Sequence, residues 1–362
     1  MTTLLVGDIG GTKTVLRLVQ LAETGDGVSA PGQTALHEQV YPSQAFADLV
    51  PIVQTFLSEV ADSLEPVPAI AAACFGIAGP VVDNASELTN LNWQLDGTRL
   101  ERELEIAPVL LINDFAANSF GVLGVAEEEM VTLQKAEVKA NAPIAVIGAG
   151  TGLGQSFLIP AGDGYQVFAT EGGHADFSPR SQQDFQLLQY LRDRDGLGRV
   201  SVERIVSGGG IVRIYRFLRD GGSESASQEE LPELAAKVKQ WEVAVAQGKL
   251  DQADDPAPAI AEAALNQTNP LCEEALRLFV SSYGAEAGNV ALKLLPYGGL
   301  YIAGGIAAKI LPLMQRGEFL HAFHHKGRME PILHQIPIRI ILNPRISLIG
   351  GALYAAQTLK AG

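Results

Sequence analysis

The chain has 362 residues, 47 % of them hydrophobic and 19 % charged, which is long for a single core and too apolar for wholesale disorder. Its formal net charge of −15, from 26 Lys+Arg against 41 Asp+Glu, repels nucleic acid and anionic membrane surfaces and argues against both as partners. A nucleotide is not excluded, because local donors and a divalent cation act inside the ~10 Å over which salt screens the general field.

Cys74 and Cys272 cannot supply a zinc site of three or four cysteines, and they read as reduced thiols in a packed interior. The first residues carry no basic segment leading into a long apolar one, so no secretory leader is expected. The longest apolar stretch, residues 67 to 82, is shorter than the ~20 residues that span a bilayer, and Gly76, Gly79 and Pro80 interrupt it. A cytoplasmic location is expected.

Taken in chain order, residues 3 to 6 are predicted to form a strand, residues 8 to 12 a glycine-rich turn, and residues 14 to 21 a second strand. A helical pattern covers residues 43 to 64. Buried strands are predicted at residues 70 to 75, 108 to 112 and 144 to 147. The first ends in a turn at residues 76 to 80, the second at Asn113-Asp114, and the third in a glycine-rich run at residues 148 to 154. Ser178-Pro179 reads as an N-cap with proline at the first helical position, before a helix with Phe185, Leu188 and Leu191 on one face. Residues 221 to 262 form a polar excursion of short helices and loops with no assigned function. Helix is predicted from 270 to 295, a strand at 300 to 303 ending in Gly304-Gly305, a β-like run at 336 to 342, and a last helix at 347 to 359. Alternating strands and helices imply an α/β architecture, with ligands outside the carboxyl ends of strands.

The chemistry-bearing residues stand at those strand ends. In Gly7-Asp8-Ile9-Gly10-Gly11-Thr12 the glycines permit φ > 0 and close approach of N–H groups to an anion, Thr12 adds a donor, and Asp8 can hold Mg²⁺ through water. A plain hairpin turn is the competing reading. A Walker loop is excluded, because Thr12 occupies the position of its second glycine and a strand follows. Asp114 suits a general base that accepts the proton of an attacking hydroxyl, and an Asx-type cap before Phe115 is its competitor. Glu171, His174 and Glu203 offer the donors and acceptors that a ring of sugar hydroxyls needs. Taken singly, His174 reads equally as a structural histidine, and Glu203 as a surface charge. His321, His324 and His325 fall near one helix face with His334 beyond, and a solvated helix is expected there, not a metal site.

The order of these motifs resembles the bacterial glucokinase family, a branch of the hexokinase/actin-like ATPase superfamily. The resemblance covers nearly the whole chain. It runs through Asp8-Ile9-Gly10-Gly11-Thr12, Leu88-Thr89-Asn90, Asn113-Asp114-Phe115, residues 148 to 154, Glu171-Gly172-Gly173-His174, Glu203-Arg204-Ile205-Val206-Ser207-Gly208 and Ile302-Ala303-Gly304-Gly305. It implies an α/β, two-domain actin-like ATPase (ribonuclease H-like) fold with an inter-domain cleft. Residues 1–112 and the C-terminal helix 347–362 would form the small domain, and residues 113–346 the large one. It further implies Asp114 as base, with Asn113, Glu171, His174 and Glu203 holding D-glucose. Asp8, Gly10, Gly11, Thr12, Gly150, Thr151 and Gly152 would hold the phosphates of ATP and Mg²⁺, Asp8 through water, and Gly304 and Gly305 would approach the nucleoside. The expected product is glucose 6-phosphate, feeding glycolysis, and the expected assembly is a homodimer. The related repressor/ORF/kinase group carries a cysteine-rich zinc motif that this sequence lacks, so no zinc is expected. The rival readings are a kinase for another hexose and a non-catalytic ATP- and sugar-binding regulatory module.

Overall fold

A computed structural model describes residues 1–22, 32–88, 90–162, 164–222, 230–248 and 254–361. Thr89 and residues 223–229 and 249–253 of the polar excursion lie outside that set. In chain order the strands are β1 Thr2–Ile9, β2 Lys13–Leu21, β3 Gln33–Pro42, β4 Ile70–Ile77, β5 Ala85–Leu88, β6 Trp93–Asp96, β7 Val109–Asn113, β8 Met130–Gln134, β9 Ile144–Ala149, β10 Leu153–Ala161, β11 Gly164–Thr170, β12 Gly299–Ala303 and β13 Ile338–Ile341. The α-helices are α1 Leu49–Ser63, α2 Gly97–Leu104, α3 Asp114–Gly121, α4 Gln182–Arg194, α5 Gly208–Phe217, α6 Pro232–Ala246, α7 Ala257–Leu265, α8 Pro270–Leu294, α9 Gly305–Lys309, α10 Leu311–Met314, α11 Glu318–His324, α12 Glu330–Leu333 and α13 Ile346–Ala361. No described helix is long and apolar enough to cross a membrane.

The chain divides into two compact units. The first comprises Met1–Met130, Ser156–Ala169 and Asn343–Gly362, and the second Val131–Gln155 and Thr170–Leu342. These bounds differ from the boundaries at 112 and 346 drawn from the sequence. The difference at the first boundary has a packing cause: α3 buries Ala116, Ala117 and Phe120 in one cluster with Leu348, Ala352 and Ala355 of α13.

The first unit holds a sheet of order β3-β2-β1-β4-β7, in which β1, β2 and β3 run antiparallel and β1, β4 and β7 parallel. Successive residues of β1 enter opposite cores, because side chains alternate across a strand. Leu5 and Ile9 pack with Ile52, Val53 and Phe56 of α1 and Leu100 of α2, whereas Leu4 and Val6 pack with the α3 and α13 cluster. β4 repeats this with Ala73, Phe75 and Ile77 on the first face and Ala72 and Cys74 on the second. Burial on both faces is why these strands read as unbroken apolar runs. Asp48 caps α1 through Leu49 N at 2.7 Å, and Asp96 caps α2 through Arg99 N at 2.7 Å.

The helices α3 and α13 approach so closely that a Cβ on Gly350 would stand 1.7 Å from Ala117 O, whereas one on Gly351 meets nothing nearer than Cys74 Sγ at 3.7 Å. Gly350→Ala is therefore expected to destabilise the protein by about 3 kcal/mol or more. Gly351→Ala is expected to be nearly neutral. Thermal unfolding of the two variants measures the contrast, and equal melting temperatures would contradict it.

The second unit holds the neighbouring strands β9-β12-β13-β8, in which β9, β12 and β13 are parallel. The long helix α8 runs beneath, with Tyr283 O–H donating to Ile147 O at 3.3 Å and accepting from Ala149 N at 3.0 Å, which fixes the carboxyl end of β9. Helix α4 starts later than Ser178-Pro179 indicated. Its cap is Ser181, whose hydroxyl accepts from Asp184 N, and its buried face carries Asp184, Leu187 and Leu191, with Phe185 exposed. Both cysteines are free and buried, and burial pushes the Cys272 thiol up to about 12.

Candidate active site

In the first unit the parallel strands end in register: Ile9 faces Ile77, and Ile77 faces Asn113. Asp8 and Asp114 therefore lie at the carboxyl ends of these strands with Gly76 of β4 between them. A Cβ on Gly76 would come 3.7 Å from Asp114 Cα and 3.6 Å from Gly7 O. The glycine-rich turn is shorter than residues 8 to 12, because β1 keeps pairing through Ile9 opposite Thr14. Gly10 and Gly11 do not adopt positive φ, which corrects the conformational reason given for them from the sequence. At Gly10 the reason is space: Gly10 N donates to Lys13 O at 3.1 Å, and a Cβ there would stand 3.1 Å from the same oxygen. Buried Ser43 fastens the turn from below, its Oγ donating to Gly10 O at 2.7 Å and its N–H to Thr12 O at 3.1 Å.

Asn113 caps α3, with Oδ1 accepting from Phe115 N at 3.0 Å and Ala116 N at 3.1 Å. Its Nδ2 donates to Gly79 O at 3.0 Å and to Asp114 Oδ1 at 3.1 Å, so all four positions of the amide are engaged. Capping thus falls to Asn113, one residue before the position considered for it. Asp114 is left at the first helical residue, accepting from Phe115 N at 2.7 Å, also on Oδ1. Burial raises its carboxyl from the ordinary 3.8 to about 6, the Phe115 N–H opposes this, and the Asp8 charge adds to it. Asp8 is raised too, by burial, against a hydrogen bond from Ser347 Oγ at 2.9 Å and the charges of Lys13 and Arg345. Two desolvated carboxylates, the Asp8 charge raising Asp114 and Asp8 itself standing beside a glycine-rich turn, form a setting that a hard, oxygen-seeking dication such as Mg²⁺ relieves. The donor chemistry fits that ion.

In the second unit the carboxyl ends of β9 and β12 also coincide, Gly148 facing Ala303. Gly150 N donates to Gly152 O, and Gly208 N, at the start of α5, donates to Gly150 O, each at 2.8 Å. Gly304 is the one glycine of the set in the left-handed region, at φ 82, and a Cβ there would stand 2.5 Å from Ala149 O. No side chain fits where the two strand ends meet.

The next loops converge on the same region. Glu203 Oε2 accepts from Leu153 N at 3.0 Å, directly after the glycine run, and a Cβ on Gly152 would stand 2.6 Å from that oxygen. Ser207, the cap of α5, donates to Glu203 O at 2.7 Å. Residues 171 to 174 fold into a short 3₁₀ turn tied to Arg199, whose Nη1 donates to His174 O at 2.7 Å. The ring nitrogens of His174 lie 3.7 Å from Glu171 Oε2 and 4.0 Å from Glu203 Oε1. Both distances exceed a hydrogen bond, so each pair keeps capacity for a third polar group such as a sugar hydroxyl.

The structure thus groups Asp8, Gly10, Gly11, Thr12, Asn113 and Asp114 in one unit. It groups Gly150, Thr151, Gly152, Glu171, His174, Glu203, Gly304 and Gly305 in the other. Ser43, Ser347 and Arg199 were missed. Ser347 meets Asp8 across 339 positions of sequence, and no local motif marks it. The histidine-rich segment stands apart, with His324 Nε2 bonded to Gln134 Oε1 at 2.6 Å and its ring 3.9 Å from that of His334. No group of three or more His, Cys, Asp or Glu among the described residues is placed to hold a metal ion.

Glycine-rich strand ends, a partly buried carboxylate at a strand terminus and a cluster of sugar-matching polar groups define the class of sugar kinases. Residues 5–358 match the family model described as Glucokinase, so the chain belongs to the glucokinase family. It is 52 % identical over 357 residues to the glucokinase of Trichormus variabilis, covering 99 % of this chain and 100 % of the relative. It is 50 % identical to that of Synechocystis sp., with 98 % of each covered. Among solved structures, a glucokinase from an Antarctic psychrotroph superposes with a TM-score of 0.78 at 27 % identity, over 99 % of each chain.

Proposed function

We propose that this chain transfers the γ-phosphoryl group of ATP to the 6-hydroxyl of D-glucose, with Asp114 as general base. The observation that carries the reading is Asp114 itself, a partly buried carboxylate released from capping duty by Asn113 and raised to about 6. The hydrogen bonds from Asn113 Nδ2 and Phe115 N both fall on Oδ1, and Oδ2 is the oxygen that would accept the hydroxyl proton. As that proton moves to Asp114, the sugar oxygen bonds to the γ-phosphorus, the bond to the β-bridging oxygen breaks, and ADP leaves. Asn113, Glu171, His174 and Glu203 orient the sugar, and exchange of one internal bond frees the Asn113 amide for it. The turn at residues 10 to 12 and Gly150, Thr151 and Gly152 cradle phosphates, while Gly304 and Gly305 admit the nucleoside. Mg²⁺ bound with the nucleotide would neutralise phosphate charge, and Asp8 is the residue that would hold it through water. The reading includes the two-domain actin-like (ribonuclease H-like) ATPase fold, supported by the three-strand meander joined to parallel β4 and β7. It includes a cytoplasmic homodimer as the working form.

A coupled ADP-release assay over glucose, mannose, fructose and N-acetylglucosamine tests it. Glucose should give the highest kcat/KM, and activity should vanish on chelation and return with Mg²⁺ or Mn²⁺. A higher kcat/KM for another sugar would overturn the substrate, and turnover undiminished by chelation would overturn the role of Asp8.

A further inference from the structure

We infer that Glu286 is a positioning residue for the sugar loop, acting through Gln155. The inference rests on the reading above that residues 171 to 174 hold the sugar.

Glu286 lies on α8 with 6 % of its surface exposed, and Gln155 on β10 with 3 %. A carboxylate buried so deeply is costly unless its oxygens are matched by donors. Both are matched here: Oε1 accepts from Gln155 Nε2 at 2.9 Å, and Oε2 from Asn289 Nδ2 at 3.0 Å. The cation stands one residue further on. Lys326 Nζ donates to Asn289 Oδ1 at 2.6 Å and to Ala285 O at 3.0 Å. Gly288 makes the room for it, since a Cβ there would stand 2.7 Å from Lys326 Cε.

This array determines which way the Gln155 amide points. With Nε2 committed to Glu286, Oε1 is turned toward the loop, where a Cβ on Gly172 would stand 2.2 Å from it. The main chain of Gln155 supports the same loop. Its carbonyl accepts from Thr170 Oγ1 at 3.0 Å, and that hydroxyl accepts from Gly172 N at 3.2 Å. Gly173 rests on the same strand, a Cβ there standing 2.2 Å from Leu153 O. The two glycines between Glu171 and His174 are therefore the surface on which the loop sits against β10. The buried carboxylate holds Gln155 Nε2 away from the loop and so keeps Oε1 packed against Gly172. An apolar residue at position 286 would fill the space but would leave the amide free to flip.

The test is a charge-conserving exchange, with kinetics for both substrates. Glu286→Gln and Gln155→Glu should each raise the KM for glucose about tenfold or more, because small misplacements of orienting groups are costly. The KM for ATP should stay within twofold. The double variant, Gln155→Glu with Glu286→Gln, restores one donor facing one acceptor, and it should recover most of the glucose KM. Unchanged glucose KM in both single variants would overturn the proposal. So would a double variant that folds, as judged by its melting temperature, yet keeps a raised KM. A merely structural role predicts that both substrates weaken together with the melting temperature. Should either single variant fail to fold, the double variant alone decides. The wild-type sugar panel separates failure here from failure of the substrate assignment, because the exchange is read on whichever hexose the wild type prefers.

Discussion

Asp114→Asn is expected to lower kcat by about 10²–10⁴-fold while raising the melting temperature at pH 8. The first effect follows from general-base catalysis, whose usual contribution is of that size. In a loose phosphoryl-transfer transition state part of it is orientation of the hydroxyl, and Asn retains some of that. The second effect follows from linkage. The carboxyl sits at about 6 in the folded chain against an ordinary 3.8, so between those values the folded state holds more proton than the unfolded one. Stability is therefore lost as pH rises through that window, and the loss is complete above it. Asn keeps the hydrogen bonds from Phe115 N and Asn113 Nδ2 but carries no charge, so it removes a penalty of about 1–3 kcal/mol at pH 8. At pH 4 the two proteins should melt nearly together. The same group sets an acid limb in the wild-type pH–rate profile, with kcat/KM falling as pH drops through about 6. Asp114→Ala should lose turnover equally without the full gain in stability, because the Phe115 N–H loses its acceptor. Melting curves at pH 4 and 8 with kcat at pH 8 separate this from a capping role. A capping role predicts that Asn is benign and Ala costly, and an active Asn variant would remove Asp114 from the mechanism.

The short apolar strands that end at the site were legible because burial on both faces writes an unbroken run: residues 3 to 6, 70 to 75 and 144 to 147 lie within β1, β4 and β9, and 108 to 112 is one residue out of step with β7. Strand β3 was not legible. As the edge of its sheet it carries a mixed, largely exposed pattern, Thr34 to Val40, with no apolar run to announce it. The candidate segments at residues 8 to 12 and 171 to 174 were legible because each packs glycines and polar side chains into four or five positions. Partners from remote elements were not: Ser43 under the turn, Ser347 on Asp8, and Glu286 behind Gln155 each act across long sequence separations through one or two hydrogen bonds. The division of labour between Asn113 and Asp114 was equally hidden. Either side chain can cap a helix, and only the observed backbone assigns the cap to Asn113.

Glu203 is expected to show a graded response that a surface charge would not. One of its oxygens holds Leu153 N at 3.0 Å, just after the glycine run, and the other stands 4.0 Å from the His174 ring. Glu203→Gln keeps an oxygen for the Leu153 N–H and turns an amide toward His174. The glycine run stays in place, the charge that matches a sugar hydroxyl is lost, and the KM for glucose should rise about tenfold with the KM for ATP unchanged. Glu203→Ala removes both functions. Leu153 N is left without its acceptor, and the loop of residues 150 to 152 loses the carboxylate against which Gly152 packs. Hydrogen bonds to a charged group contribute about 1.5–3 kcal/mol each, so losing two should reduce kcat/KM by about 10²–10⁴-fold. The loss should appear for ATP as well as for glucose, because the loop and the sugar cluster share this one side chain. The default expectation for a glutamate in a short surface turn is that both variants behave as the wild type. Steady-state kinetics with each substrate varied in turn distinguish the two, and an Ala variant whose ATP KM is unaltered would break the link between Glu203 and the glycine run.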